Sequence, residues 1–361
     1  MDEIQRLRAR IDGIDQEIAL LLKSRNEDAR LLGRIKRIRG MPLQDPKRER
    51  TILDRMTRLS KELNLEPGMV QKIFQEIFRL SFRAQDETQD RRVSRLKGLR
   101  VLVIGGTGRM GRFIAGFASL QGARVRVVGR SIEKTAKAAK EIGVEPGTIH
   151  DATESDIVIV SVPLEETERV AVETASFMKY GSLLSDVSSV KTGVSDRIAA
   201  QTSSVVEYVS IHPLFGPDID QLYGQNVVMI PFRIGPRWKR LDEAFRASGV
   251  NMYEMTAAQH DRRMAYAQGL HHFALIMLGV ALADKGGEPR TRSLRDTEKR
   301  ILGMIENWET IRAIQMMNPF VPEARQDFLR ISDRLEGMRP RDTALARRKL
   351  LSNVQKWSRK R

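Results

Sequence analysis

The chain has 361 residues, 41% of them hydrophobic, enough for two or three domains with apolar cores. It has no cysteine, which excludes disulfides, thiolate zinc sites and cysteine nucleophiles, and its five histidines disfavour a metal centre. Lys and Arg total 62 against 46 acidic residues, a charge of +16 that points to anionic ligands. A nucleic-acid binder would interleave its basic residues with aromatics for base stacking, but aromatics are only 6% here and do not alternate with them. The start does not read as a signal peptide and no apolar run approaches about 18 residues, so a cytoplasmic protein with no membrane partner is expected.

From Ile4 to Ile35 an apolar residue recurs every three or four positions: Ile4, Leu7, Ile11, Ile14, Ile18, Leu21, Leu32 and Ile35. The spacing predicts one long amphipathic helix of about 36 residues, roughly 54 Å. Arg25 occupies the seam slot after Leu21, and Lys36 lies four residues beyond Leu32. Cations on a packing face are costly unless an anion meets them, so an anionic ligand held between helices is expected. Asp45-Pro46 predicts the start of a second helix, with Asp45 as N-cap and Arg48 and Glu49 in its first turn. A third helix is predicted after Glu66-Pro67-Gly68, with Val70, Ile73, Phe74, Ile77 and Phe78 on one stripe that Ser81 and Gln85 continue. So long a seam needs a second copy to cover it. On pattern alone the segment also fits a coiled-coil dimerisation arm.

After the polar stretch 86–98 the periodicity changes to that of a parallel α/β sheet. Strands are predicted at Arg100–Ile104, Val125–Val128, Ile157–Val160, Leu183–Asp186, Val209–Ile211 and Val227–Ile230. Beyond about Thr256 helical patterns dominate. Gly106-Thr107-Gly108-Arg109-Met110-Gly111 is a G-x-G-x-x-G between a strand and a helix, the setting in which a dinucleotide pyrophosphate sits on a helix N-terminus. Where an NAD site places an acidic residue, Arg130 and Ser131 follow the second strand, with Lys134 near. They suit a 2′-phosphate, hence NADP with NAD as the alternative, unless Arg130 is only a surface residue. Ser161, the run from Asp186 to Lys191, and the run from Ile211 through His212 to Asp218 follow later strands, at the carboxyl ends where such sheets bind ligands. Taken alone, His212 fits a structural histidine equally well.

Two resemblances join these features. Leu7-Arg8, Ile11-Asp12, Asp15, Leu21-Leu22, Arg25, Lys36, Pro42, Asp45 through Glu49, Ser81 and Gln85 resemble the all-helical chorismate mutases over residues 1 to about 88. That resemblance implies a site in which Arg8 of a partner protomer and Arg25 clamp two carboxylates. Lys36 and Gln85 would donate to the breaking ether oxygen and Glu49 would accept from the ring hydroxyl, while Arg48, Asp45 and Ser81 complete the lining. Chorismate rearranges to prephenate within itself, so positioning and electrostatics are all the protein has to supply. Residues 99 to about 275 resemble the prephenate dehydrogenases, most specifically at His212-Pro213-Leu214-Phe215-Gly216-Pro217, with further matches at His260-Asp261, Met264, Gln268 and His272-Phe273. There the resemblance implies His212 as the base, Ser161 orienting the substrate hydroxyl or the nicotinamide, and Lys191 supporting the local geometry.

Together they imply a multidomain, bifunctional enzyme of tyrosine biosynthesis, most simply a homodimer. The expected order is a three-helix all-α mutase domain (1–90), a linker (91–98), an α/β Rossmann domain (99–252) and an all-α substrate and dimerisation domain (253–361). The family's carboxylate-binding arginine has no counterpart in register between Lys299 and Glu309. Arg300 is the nearest candidate, with Arg292 and Arg295 as others. The gap leaves arogenate (cyclohexadienyl) specificity, or a degenerate regulatory dehydrogenase domain, as alternatives.

Overall fold

The structure, a computed structural model, describes residues 2–38, 45–87, 94–219, 222–283, 290–336, 347, 348 and 350–353. The apolar repeat folds as α1 (Glu3–Ile38), a single helix of 36 residues. Asp45 begins α2 (Pro46–Glu62): its carboxylate accepts from the Arg48 amide at 2.9 Å, and Pro46 sits where no amide hydrogen is needed. Before α3 (Pro67–Glu87), Glu66 accepts from the amides of Gly68 and Met69 at 2.9 and 2.6 Å. Both α1 and α2 pack on α3. The seam residues Ile4, Leu7, Ile11, Ile14, Ile18, Leu21, Leu32 and Ile35 are nonetheless 39–71% exposed.

One eight-stranded sheet follows: β1 (Arg100–Ile104), β2 (Arg124–Val128), β3 (Glu145–Pro146), β4 (Ile157–Val160), β5 (Leu183–Asp186), β6 (Glu207–Pro213), β7 (Asn226–Arg233) and β8 (Asn251–Glu254). Its order is β3-β2-β1-β4-β5-β6-β7-β8, and every neighbouring pair is parallel except β6 with β7. The central strand β4 is buried along its whole length, which is why it reads as an unbroken apolar run, and β5 is equally buried although it ends in Ser185 and Asp186. The sequence pattern did not predict β3 or β8. Both are edge strands with exposed residues and carry no apolar run. Helices α4 (Arg109–Leu120), α5 (Ile132–Ile142), α6 (Leu164–Ala175), α7 (Val194–Gln201) and α8 (Pro236–Ala247) connect the strands.

The chain divides into two compact units. The first comprises 1–161, 173–187 and 203–254, and so holds α1–α3 and the whole sheet. The second comprises 162–172, 188–202 and 255–361. Its helices are α9 (Ala257–Met264), a π-helical stretch (Ala265–Leu270), α10 (His271–Ala283), α11 (Arg292–Ile305), α12 (Trp308–Met317) and α13 (Val321–Glu336), besides α7 and most of α6. Ala265, Val321 and Ala324 form one buried apolar cluster within it. By length and composition the run Ala257–Leu282 could cross a membrane, although the sequence pattern predicted no such segment. His260 and Asp261 at its start are wholly buried and hydrogen-bonded in this unit, whereas Met277, Leu278 and Val280 toward its end are exposed.

Candidate active sites

In the helical part, Arg25 leaves the α1 seam toward α3. Its guanidinium donates to the Ser81 hydroxyl and to the Ile77 carbonyl at 3.4 Å, and lies over the Phe78 ring at 5.8 Å. Burial pulls its pKa below the ordinary arginine value, the sign of a cation taken partly out of water. Lys36, half-buried, stands eleven residues further along α1, about three turns, and so shares this face. Glu49 is half-buried on α2, Arg48 is exposed, and the carboxylate of Asp45 is engaged as the α2 cap. Arg8 is exposed and lies about 26 Å back along α1 from Arg25, at about 1.5 Å per residue. One copy of α1 cannot bring both arginines to a small ligand. Gln85 follows Ser81 by one turn of α3, but its side chain lies outside the described residues.

The glycine run forms the turn from β1 into α4. Its left-handed residue is Gly105 (φ 83°), one position ahead of the predicted motif. The amides of Gly105 and Gly106 donate to the Val128 carbonyl at 2.8 and 3.0 Å, fixing the turn against the end of β2. A Cβ on Gly111 would lie 2.2 Å from the Gly105 carbonyl oxygen, so α4 approaches the turn as only glycine allows. Gly108 caps α4 without a side-chain bond, leaving the first amides of the helix for an anion, so these residues fit a pyrophosphate. Met110 is half-buried behind them, and Arg109 pairs with the Asp218 carboxylate. At the end of β2, Arg130 and Lys134 are exposed, and the Ser131 hydroxyl caps α5 by accepting from the Lys134 amide at 3.3 Å.

Further along the carboxyl edge, the Ser161 amide donates to the Ile104 carbonyl at 2.7 Å, so Ser161 stands at the switch point between β1 and β4. His212 lies on β6 opposite Val228 and is 3% exposed. With β5 between them, β4 and β6 are about 10 Å apart. Asp186 ends β5 fully buried and accepts from the Tyr208 hydroxyl at 2.8 Å, a structural engagement.

In the second unit, Asp261 organises the turn after β5. Its carboxylate accepts from the amides of Lys191 (3.0 and 3.1 Å) and Thr192 (2.7 Å) and contacts His260 Nδ1 at 2.7 Å. The Lys191 ammonium, wholly buried, donates to the Ser188 hydroxyl at 3.1 Å. The sequence placed His260-Asp261 and Lys191 in one family pattern, and here they are one hydrogen-bonded cluster. Asp261→Ala would strand the buried Lys191 amide and the part-buried Thr192 amide and should cost at least about 2 kcal/mol. An unchanged urea midpoint would refute that. Thr192 Oγ1, Gln268 Oε1 and His272 Nδ1 are buried without a hydrogen-bond partner among the described residues. Burial, with a smaller effect of His271, pushes the His272 imidazole down to about 4. Thr192 was not singled out from the sequence, because a lone hydroxyl after a turn carries no pattern. Arg292, Arg295 and Arg300 are exposed on α11, while Met304, one turn beyond Arg300, is buried.

Residues 7–86 match the chorismate mutase type II family model, and residues 114–231 match that of the prephenate dehydrogenase nucleotide-binding domain. Two proteins of Methanocaldococcus jannaschii divide the chain between them. A chorismate mutase is 39% identical over 75 residues, 21% of this chain and 76% of the relative. A probable arogenate/prephenate dehydrogenase is 33% identical over 245 residues, 64% of this chain but only 54% of the relative, so the chain spans about half that protein's length. The T-protein of Enterobacter agglomerans is 28% identical over 284 residues, 78% of this chain and 72% of the relative. The crystal structure of prephenate dehydrogenase from Aquifex aeolicus, solved with hydroxyphenyl propionate and NAD+, shares the fold. Its TM-score is 0.59 at 19% identity, covering 73% of this chain and 98% of that one. Residues 7–86 therefore belong to the type II chorismate mutase family, and this chain joins them to a prephenate dehydrogenase nucleotide-binding domain on the sheet that follows.

Proposed function

We propose that this bifunctional enzyme rearranges chorismate to prephenate and then oxidatively decarboxylates prephenate to 4-hydroxyphenylpyruvate, in tyrosine biosynthesis and in the cytoplasm. The observation that carries the reading is the pairing, in one chain, of the Arg25–Ser81 contact between α1 and α3 with a buried His212 on the sheet that bears the glycine turn. The product of the first site is the substrate of the second. Supplying chorismate with NADP or NAD and following reduced cofactor tests both at once. Prephenate formed without reduction would leave a mutase with an inactive partner domain.

In the mutase, Arg25 and the partner protomer's Arg8 hold the two carboxylates. Lys36 and Gln85 donate to the ether oxygen as negative charge develops there, and Glu49 accepts from the ring hydroxyl. Asp45, Arg48 and Ser81 line the site. The exposed α1 seam and the 26 Å between Arg8 and Arg25 support a homodimer in which a second α1 covers the seam. Met277, Leu278 and Val280 of α10, 41–68% exposed, offer that dimer a second apolar face.

In the dehydrogenase, Gly106, Gly108, Arg109, Met110 and Gly111 hold the dinucleotide, with Arg130 and Ser131 at the ribose. When bound, the nicotinamide supplies the hydride acceptor. His212 takes the proton from the substrate's ring hydroxyl, and Ser161 orients that hydroxyl. Of the two cofactors NADP is favoured, because Arg130 stands where an acidic residue would hold a free 2′-hydroxyl. Arg130→Ala should therefore raise KM for NADP by about tenfold or more and leave that for NAD nearly unchanged. Equal losses, or a wild-type preference for NAD, would overturn the cofactor choice. A second reading, arogenate as substrate, is favoured by the 33% identical relative of Methanocaldococcus jannaschii, whose name gives both substrates. Comparing kcat/KM for the two substrates decides between them.

A further inference from the structure

Tyr223 lies on the segment between β6 and β7, far in sequence from the mutase helices, yet its hydroxyl donates to Glu49 Oε1 on α2 at 2.5 Å. Its ring packs on Phe82 of α3, with centroids 4.2 Å apart and planes at 37°, and Phe82 is itself buried. One residue of the sheet domain thus touches two of the three mutase helices, and both contacts fall within the same compact unit. Burial, then the bond to Glu49, pushes the phenol pKa well above its ordinary value, so Tyr223 stays protonated and keeps its hydrogen for the Glu49 carboxylate.

We propose that Tyr223 is a positioning residue of the chorismate mutase: it holds one oxygen of the Glu49 carboxylate so that the remaining lone pairs meet the substrate's ring hydroxyl. This rests on the assignment of Glu49 made above. A glutamate on a helix surface has many rotamers, and ordering it only when substrate arrives would weaken binding. A carboxylate offers about four acceptor sites, so one bond to Tyr223 leaves room for the substrate. The dehydrogenase part of the chain therefore completes the mutase site, which no mutase motif announces.

The test is a double-mutant cycle in the full-length chain. Tyr223→Phe keeps the ring on Phe82 and removes only the hydroxyl. The lost bond orders Glu49 in ground and transition states alike, so KM for chorismate should rise about tenfold with kcat within about twofold. Oxidation of supplied prephenate should not change. In a Glu49→Ala background, measured as kcat/KM at raised enzyme concentration, Tyr223→Phe should have no further effect. Wild-type mutase kinetics in Tyr223→Phe would overturn the proposal. So would an equal loss in the Glu49→Ala background, or a parallel loss of prephenate oxidation, since each would mean that the tyrosine acts on the fold rather than through Glu49. Wild-type mutase kinetics in Glu49→Ala alone would instead remove the underlying role of Glu49, and the proposal with it.

Discussion

His212→Asn is expected to bind prephenate and cofactor but to oxidise prephenate at least about 10² more slowly than the wild type. The side chain is buried on β6, in the stretch Val209 to Pro213 that pairs continuously with β7 beyond the irregularity at Tyr208, so the exchange should leave the backbone in place. An amide of similar size can still hydrogen-bond the ring hydroxyl, which preserves ground-state binding. It cannot take the proton as the aromatic ring forms, so the loss should appear in kcat rather than in KM. The acid limb of the wild-type rate profile, which reports protonation of the base, should vanish in the variant. Conversion of chorismate to prephenate should be untouched. Near wild-type oxidation by His212→Asn would make His212 a structural histidine, and the mechanism given for the dehydrogenase would be wrong.

Arg25→Ala should lower kcat/KM for chorismate by about 10²–10³ while supplied prephenate is still oxidised normally. Arg25 donates to Ser81 and stands partly buried between α1 and α3, where the field of a guanidinium is less screened than at the surface. Removing it deletes a charge aimed at a dianion. It should not destabilise α1, because alanine is the better helix former and the desolvated cation disappears as well. Arg25→Lys separates charge from geometry. It keeps the positive charge but loses the planar fork, so intermediate activity is expected, closer to alanine than to wild type. Mutase kinetics near wild type in Arg25→Ala would defeat the assignment of the helical site. A matching loss of dehydrogenase activity would mean that the substitution damages the fold.

Much of this protein was legible in its sequence because the signals are local and periodic. The α1 seam, the Asp45-Pro46 cap, the glycine turn and the buried strands each follow from the spacing of a few neighbouring residues, and each folds as that spacing requires. The cations on the seam were equally visible, because a charge in an apolar repeat stands out from its context. Tertiary structure alone decided the rest. The pairing of Asp261 with the amides of Lys191 and Thr192 spans about seventy residues, and a backbone amide leaves no mark in sequence. The edge strands β3 and β8 exist because a neighbouring strand offers them hydrogen bonds, not because their residues favour extension. The contact of Tyr223 with Glu49 joins parts of the chain that carry separate family patterns, so neither pattern contains it. Sequence fixes what each segment prefers; only the packed chain brings a group from one module to a carboxylate of another.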